Sequence, residues 1–409
     1  MPRTDHEVVV VGAGPYGLSA AAHLRAVGKE TAIFGRTMSF WEENMPRGML
    51  VRSPVTASDI GDPEGTLSLD AFRADTGAVF DPPIPIQTFI DYGHWYAEKA
   101  EIRPDPRLVT ELTRDEHGGF RMTLDDGDRL TTNRVVLASG GCAFAWRPSV
   151  FDGLPPEAVS HTCDHSDLGQ FRDRELIIVG GGQSAIESAA IAHEAGAAVR
   201  VVVRAPLVRW LTRSSRLHRL GPITRVLYSP EDVGPAGLSR LIAVPGLYRR
   251  LPDGLRSKAT RRAARPAAAS WLVERMRDVP IETGKKIVTA RAQEARVELE
   301  HADGTVTAGD HVLLATGYKV DLAKIEFLDS ELAAAVSVAG SFPVLNRAFE
   351  TSVPGLHMLG WAATGTFGPL MRHIAGTSAT AQSLAHGIAR ERMRQEVPRV
   401  GKALTESTR

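Results

Sequence analysis

The sequence predicts an α/β protein built from two similar nucleotide-binding units. Three observations carry this reading. A β-branched run near the start leads at once into a glycine-rich turn and a helix; the same order recurs near residue 176; and a matching hairpin and strand close each unit.

In the first unit Val8-Val9-Val10-Val11 reads as a strand buried on both faces. Gly12-Ala13-Gly14-Pro15-Tyr16-Gly17 follows, then the helix formers Leu18 to Val27, stopped by Gly28. Thr31-Ala32-Ile33-Phe34 is the returning strand. In the second unit Leu176-Ile177-Ile178-Val179 is the strand and Gly180-Gly181-Gly182-Gln183-Ser184-Ala185 the turn. A helix from about Ala185 to Ala195 and the strand Val199–Val203 complete it. Phe120–Leu124, Asp126-Gly127 and Arg129–Thr131 form a hairpin, followed by the strand Arg134–Leu137 ending in Ala138-Ser139-Gly140. Val297–Leu299, Asp303-Gly304 and Thr305–Thr307 repeat it, and His311–Leu314 ends in Ala315-Thr316-Gly317. Gly12 to Gly140 spans 128 positions and Gly180 to Gly317 spans 137, so the units are alike in length as well as in order.

Composition excludes several classes. The 48 basic and 48 acidic residues cancel, which gives no global field for nucleic acid or an anionic membrane. No apolar run reaches the ~18–20 residues of a membrane span, and the start lacks a signal-peptide pattern, so the expected location is cytoplasmic. Two cysteines, Cys142 and Cys163, with no Cys-x-x-Cys, argue against a disulfide scaffold, a zinc ribbon or a dithiol motif; they read as small buried apolar residues. Between Pro206 and Arg265, thirteen Lys/Arg stand against three Asp/Glu. This basic, mostly helical insertion is either a solvated face or a positive rim that attracts an anionic nucleotide.

The turns carry the chemistry. Gly12 permits the tight turn, Gly14 lets a pyrophosphate approach the backbone, and Gly17 lets helix and strand pack closely. The helix N-terminus offers free amides and partial positive charge. Gly180-x-Gly182-x-x-Ala185 is the accepted variant, with Ser184 inside it. Two such turns predict two Rossmann-like dinucleotide-binding domains, one for a flavin and one for a nicotinamide that reduces it. Arg204 stands where a ribose-binding acid is expected, which suits a 2′-phosphate and hence NADPH, with NADH possible; Arg209 and Arg213 assist. The first unit has Gly35 and Arg36 there, so the usual acid is missing.

The first turn followed by Phe40-Trp41 resembles the FAD site of class B flavin monooxygenases. His161-Thr162-Cys163-Asp164-His165-Ser166 resembles their linker. Gly181 to Ala190, Ala315-Thr316-Gly317-Tyr318, Ser352 to His357 and Thr366 to Arg372 are similar to the FAD-dependent urate hydroxylase-like and N-hydroxylating members of that group. The Baeyer–Villiger fingerprint keeps only His165, with Val159, His161 and Gly169 at its other marked places, which disfavours lactone formation.

The resemblance implies a two-domain flavoprotein. Residues 1–143 and 316–409 would form a discontinuous FAD-binding domain, and 144–315 an NAD(P)H-binding domain with the basic helical insertion around 206–275. It implies a monooxygenase that uses NADPH, FAD and O2, through a C4a-(hydro)peroxyflavin, to oxygenate a small molecule such as a urate-like purine or an amine. The cofactor carries that chemistry, and the protein shields it from water. The alternatives are an NADPH-dependent reductase serving a protein partner and a flavin redox sensor without turnover. By the same resemblance Gly317, Gly365 and Phe367 lie near the flavin. Trp41 stacks near it or belongs to the core. Arg52 faces the flavin–substrate cavity or makes a structural ion pair. His165 lines the nicotinamide cleft or caps the following segment. His373 reads as packing or surface.

Overall fold

The computed structural model describes residues 5–211, 243–263, 265–293 and 296–396. Strand β1 (His6–Val11) runs into the first glycine turn, helix α1 (Pro15–Ala26) leaves it, and β2 (Thr31–Phe34) returns parallel to β1. Helix α2 (Ile86–Lys99) packs its apolar face into the same core. Then β3 (Val109–Arg114), β4 (Phe120–Leu124) and β5 (Arg129–Leu137) extend the sheet in the order β2-β1-β5-β4-β3. The expected hairpin and the strand after it are one element: the start of β5 pairs antiparallel with β4, and Arg134–Leu137 pair parallel with β1.

The second sheet is parallel throughout. It comprises β6 (Val159–His161), β7 (Glu175–Val179), β8 (Ala198–Val203) and β9 (Ile281–Thr283), with helix α3 (Gln183–Glu194) crossing from β7 to β8. An antiparallel set follows, β10 (Ile287–Gln293), β11 (Arg296–His301) and β12 (Val306–Gly309), before β13 (His311–Leu314) enters the sheet between β7 and β6. Here Asp310 separates hairpin from strand, so β10-β11-β12 stands as its own layer. Alternation along the strands supplies both faces: Ile178, Val201 and Leu313 pack with α3, while Ile177, Val202 and Val312 pack with Val297 and Leu299 of β11. Finally β14 (Leu356–Met358) joins the first sheet beside β5, and α4 (Thr377–Glu396) packs on α1.

The described part of the basic insertion holds helices at Pro245–Tyr248, Asp253–Ala263 and Leu272–Arg275 and a parallel strand pair, Trp210–Leu211 with Ala268–Ala269; residues 212–242, including Arg213, lie outside the described residues. Two chain crossings join the sheets, and they pair with each other. Ala145 and Tyr318 form an antiparallel bridge, and the Trp146 amide donates to the Gly317 carbonyl at 2.8 Å. Among the described residues no helix is long and apolar enough to cross a membrane.

Candidate active site

The two glycine turns share one geometry. A Cβ on Gly12 (φ +106°) would lie 2.5 Å from the Ala138 carbonyl oxygen, at the end of β5. A Cβ on Gly180 (φ +151°) would lie 2.5 Å from the Ala315 oxygen, at the end of β13. Each turn therefore presses on the strand end that the repeat made equivalent to the other. A Cβ on Gly17 would sit 1.8 Å from the Gly12 oxygen, so this position closes helix against strand. Gly14 differs: its Cβ would meet nothing within 4 Å, leaving open space at the N-terminus of α1. That is the cradle a pyrophosphate requires, and the residues present fit FAD there. Gly35 (φ +116°) packs against Gly12, and Arg36 pairs with Glu43 at 2.7 Å, so no carboxylate ends β2.

At the second turn Gly182 caps α3 and faces Pro266, and the Ser184 hydroxyl donates to the Thr162 hydroxyl at 3.1 Å. Arg204 comes directly after β8. It is exposed, as is Arg209, and neither has an ion-pair partner among the described residues. Two guanidinium groups beyond a dinucleotide turn, without a salt bridge among the described residues, suit a 2′-phosphate.

Tyr16 ties the first turn to the C-terminal segment. Its hydroxyl donates to the His373 carbonyl at 3.0 Å, and its ring lies against Gly360 and Gly376. That contact brings Arg372 and His373 to the side of the first glycine turn. Arg52 arrives from the loop after the short strand Leu50–Val51. Desolvation of its guanidinium lowers its pKa, opposed by the charge of Glu187. Its one hydrogen bond, to the Ala267 carbonyl, is long at 3.4 Å. Arg372 stacks on Trp361 at 4.6 Å, and its Nε is buried without a partner. His373 is pushed down to about 4, mainly by desolvation and further by the charges of Arg52 and Arg372, so it is neutral near pH 7. The charges of Arg52 and Arg372 thus both bear on His373, Glu187 bears on Arg52, and neither arginine makes a salt bridge to a carboxylate among the described residues. The same Arg372, with Trp146, Tyr318, Lys319 and Phe342, walls an open cavity of about 1430 Å³.

Other expected residues are placed differently. Both ring nitrogens of His165 are engaged, Nε2 with the Ser160 hydroxyl at 2.6 Å and Nδ1 with Gln170 at 2.8 Å. Ser160 also meets His311 at 2.6 Å, so His165 belongs to a structural relay inside the second sheet. Phe367 is buried, stacked on Phe349 with ring centroids 4.0 Å apart, and Gly365 lies tight against Phe342. Both support the core beneath the cleft. Trp41 packs edge-on against Phe89 at 4.7 Å and is half-buried. Gly317 (φ +83°) faces open space at the second crossing.

Sequence reasoning missed Glu187. It is wholly buried, and its carboxylate accepts from the Leu50 amide at 2.8 Å and from Gln183 at 2.9 Å. Gln183 in turn accepts from the Ala269 amide at 2.8 Å. Desolvation raises the Glu187 pKa to about 7 against these bonds. Of the two cysteines, expected as small buried apolar residues, Cys163 is buried with its sulfur 3.1 Å from His161 Nδ1, and Cys142 is half-buried.

A family model described as pyridine nucleotide-disulphide oxidoreductase matches residues 6–216. The FAD-dependent urate hydroxylase of Xanthomonas campestris pv. campestris is 29% identical over 250 residues, 55% of this chain and 51% of that protein, so the match spans about half of its length. The indole-3-pyruvate monooxygenase YUCCA1 of Oryza sativa subsp. japonica is 27% identical over 343 residues, 76% of each chain. Among solved structures the ornithine N-hydroxylase of Kutzneria sp. 744, holding reduced FAD, NADP+ and L-ornithine, superposes with a TM-score of 0.74 at 16% identity, covering 95% of this chain and 99% of that one. The resemblance read in the sequence is borne out at the level of fold and relatives: α/β, with two dinucleotide-binding units, as in two-domain flavoprotein monooxygenases.

Proposed function

The chain belongs to the pyridine nucleotide-disulphide oxidoreductase family, and from that premise we propose that it is an FAD- and NADPH-dependent monooxygenase acting on a small anionic molecule, urate or a carboxylate-bearing amine. The observation that carries this reading is the pair Arg52 and Arg372, whose charges both bear on His373 beside the first glycine turn and neither of which makes a salt bridge to a carboxylate among the described residues.

FAD, when bound, supplies hydride acceptance from NADPH and the activation of O2. The chain does the rest. The amides at the start of α1, opened by Gly14, hold one pyrophosphate, with Gly12 and Gly17 setting the turn. Gly180, Gly182 and the start of α3 hold the other, with Ser184 fixed by Thr162. Arg204 and Arg209 meet the 2′-phosphate of NADPH. Arg52 and Arg372 bind and orient the anionic substrate through charge-assisted hydrogen bonds, and neutral His373 adds a polar group without a competing charge. Trp361 and Tyr318, with ring centroids 4.9 Å apart, line the approach and exclude water. His165 positions the linker through Ser160 and Gln170 and takes no part in the chemistry.

The test is direct. The FAD-loaded protein is mixed with NADPH in air, with urate or candidate amino acids and amines present or absent. The reading requires substrate-stimulated NADPH loss and a product heavier by one oxygen. NADPH loss that needs an added protein acceptor would instead support a reductase.

A further inference from the structure

We infer that Gln183 is a positioning residue that ties the second glycine turn to the segment carrying Arg52, so that coenzyme bound at that turn steadies the arginine proposed to hold the substrate. The meaning of this link for the substrate rests on the function proposed above; the link itself consists of bonds within the chain.

Gln183 is the first residue of α3 and follows Gly182 directly. Its backbone stands where the second turn offers free amides to a pyrophosphate. Its side chain is engaged at both ends: Oε1 accepts from the Ala269 amide at 2.8 Å, and Nε2 donates to Glu187 Oε2 at 2.9 Å. A side-chain amide is suited to this place because it carries donor and acceptor together. Glu187 lies one helical turn further along and uses its other oxygen, Oε1, to accept from the Leu50 amide at 2.8 Å. Leu50 opens the short strand Leu50–Val51, and Arg52 follows it. From Ala269 the chain runs back to Ala267, whose carbonyl accepts from Arg52 Nη1 at 3.4 Å. The bonds close a ring through Gln183, Glu187, Leu50, Arg52, Ala267 and Ala269. Arg52 is thus tethered at its root and at its guanidinium, and both tethers end on Gln183.

The same ring forms a wall of the coenzyme turn. A Cβ on Gly182 would lie 3.6 Å from Pro266, so the strap 265–269 stands against that turn. The Ala268 amide donates to the Arg209 carbonyl at 2.9 Å, with Trp210 paired to Ala268. The strap therefore meets Gly182 through Pro266, Gln183 through Ala269 and Arg209 through Ala268. All three of those partners belong to the proposed coenzyme site.

The strengths of the bonds decide which part of the ring yields. Glu187 is wholly buried, so a partner lost there leaves a desolvated polar group, and the two bonds to its carboxylate hold or fail together. The Arg52 bond to Ala267 is at the edge of hydrogen-bond range, so the guanidinium is the loose end. Coenzyme that orders the first turn of α3 orders the ring with it, and less freedom is then left for the substrate to remove from Arg52. Such coupling is reciprocal and is worth about five- to 150-fold in affinity.

Hydrogen–deuterium exchange on the full FAD-loaded chain, resolved to single amides, reads the ring with NADP+ absent and at saturation. In the parent, NADP+ should slow exchange of the Leu50 amide about fivefold or more. Gln183→Ala keeps the backbone of the turn, so its Kd for NADP+ should stay within about threefold of the parent's, while its Leu50 amide no longer responds to NADP+. The double variant Gln183→Glu/Glu187→Gln rebuilds the ring with donor and acceptor exchanged. The carboxylate at position 183 accepts from the Ala269 amide and from the amide at position 187, whose oxygen accepts from Leu50, so the response should return. A side chain that only filled space would give no such return. A Leu50 amide indifferent to bound NADP+ in the parent would overturn the inference and leave the coenzyme assignment standing, as would a response that survives in Gln183→Ala. A parent that binds no NADP+ would defeat the inference and the coenzyme assignment together. The parent comparison stands even where a variant fails to fold. If Leu50 responds but no candidate substrate is oxygenated, the link holds and the monooxygenase reading loses support.

Discussion

Gly14 and Gly17 lie three positions apart in one turn and answer to different forces. A Cβ at Gly17 overlaps the Gly12 carbonyl at 1.8 Å, so Gly17→Ala breaks the packing of α1 on β1 whether or not flavin is present. The expected loss is several kcal/mol, on the order of a severe core defect. A Cβ at Gly14 meets no protein atom. Gly14→Ala should therefore leave the melting temperature of the flavin-free protein within a few degrees of the parent while raising the Kd for FAD about tenfold or more. Flavin titration with paired melts of the apoprotein checks both; a Gly14→Ala apoprotein as unstable as Gly17→Ala would show that the turn is closed by protein and has no cradle. The arginines of the cleft give a second prediction at this scale. Arg372→Leu keeps contact with Trp361 and removes the charge, so KM for an anionic substrate should rise about tenfold or more, at about 1.5–3 kcal/mol for a charge-assisted bond, while KM for NADPH stays within about twofold. Steady-state kinetics on the substrate found by the oxygenation screen separates the two.

Among the elements, strand β8 is the one through which the proposed coenzyme choice would act, by the arginine at its exit. Val201 to Val203 are buried in the sheet and Arg204 emerges at the strand end, so backbone geometry fixes where its guanidinium begins. Arg204→Ala should raise KM for NADPH about tenfold while leaving NADH nearly unchanged, and equal effects on both coenzymes would defeat the 2′-phosphate assignment. The two βαβ units, both glycine turns and both hairpins were legible because local pattern encodes them: apolar runs, glycines at strand ends, Asp-Gly at the hairpin tips. The strands β3 and β10, each of which adds a third strand to a hairpin, were missed. Val109–Arg114 and Ile287–Gln293 mix polar with apolar residues and draw their stability from pairing with β4 and β11, which their own composition does not announce. His165 shows the converse. Its position in the linker was legible, but its bonds to Ser160 and Gln170 come from tertiary placement.

Across the whole molecule, the features no linear pattern could show are those made between distant segments: Arg52 and Arg372 bearing on His373, and Glu187 with Leu50. Glu187 lies on α3 and receives the amide of Leu50 from the other sheet's side, while Gln183 links it to Ala269. It is a latch between the units, and an acid with an ordinary pKa of 4.5 raised to about 7 by desolvation makes the latch respond to pH. Between those values the folded protein keeps a proton that the unfolded chain releases, so stability falls as pH rises through this window. The contribution is fully present below about 4.5 and lost above about 7. The shift of about 2.5 corresponds to something on the order of 3 kcal/mol across the window. Glu187→Gln carries no charge to bury, although its amide faces Gln183 and gives up one hydrogen bond. Its melting temperature should therefore gain on the parent's steadily from pH 5 to pH 8, even where it starts below. A parent-to-variant difference that stays flat over that range would mean that Glu187 does not titrate there, and that the junction is held by the Leu50 and Gln183 bonds to a permanently charged carboxylate.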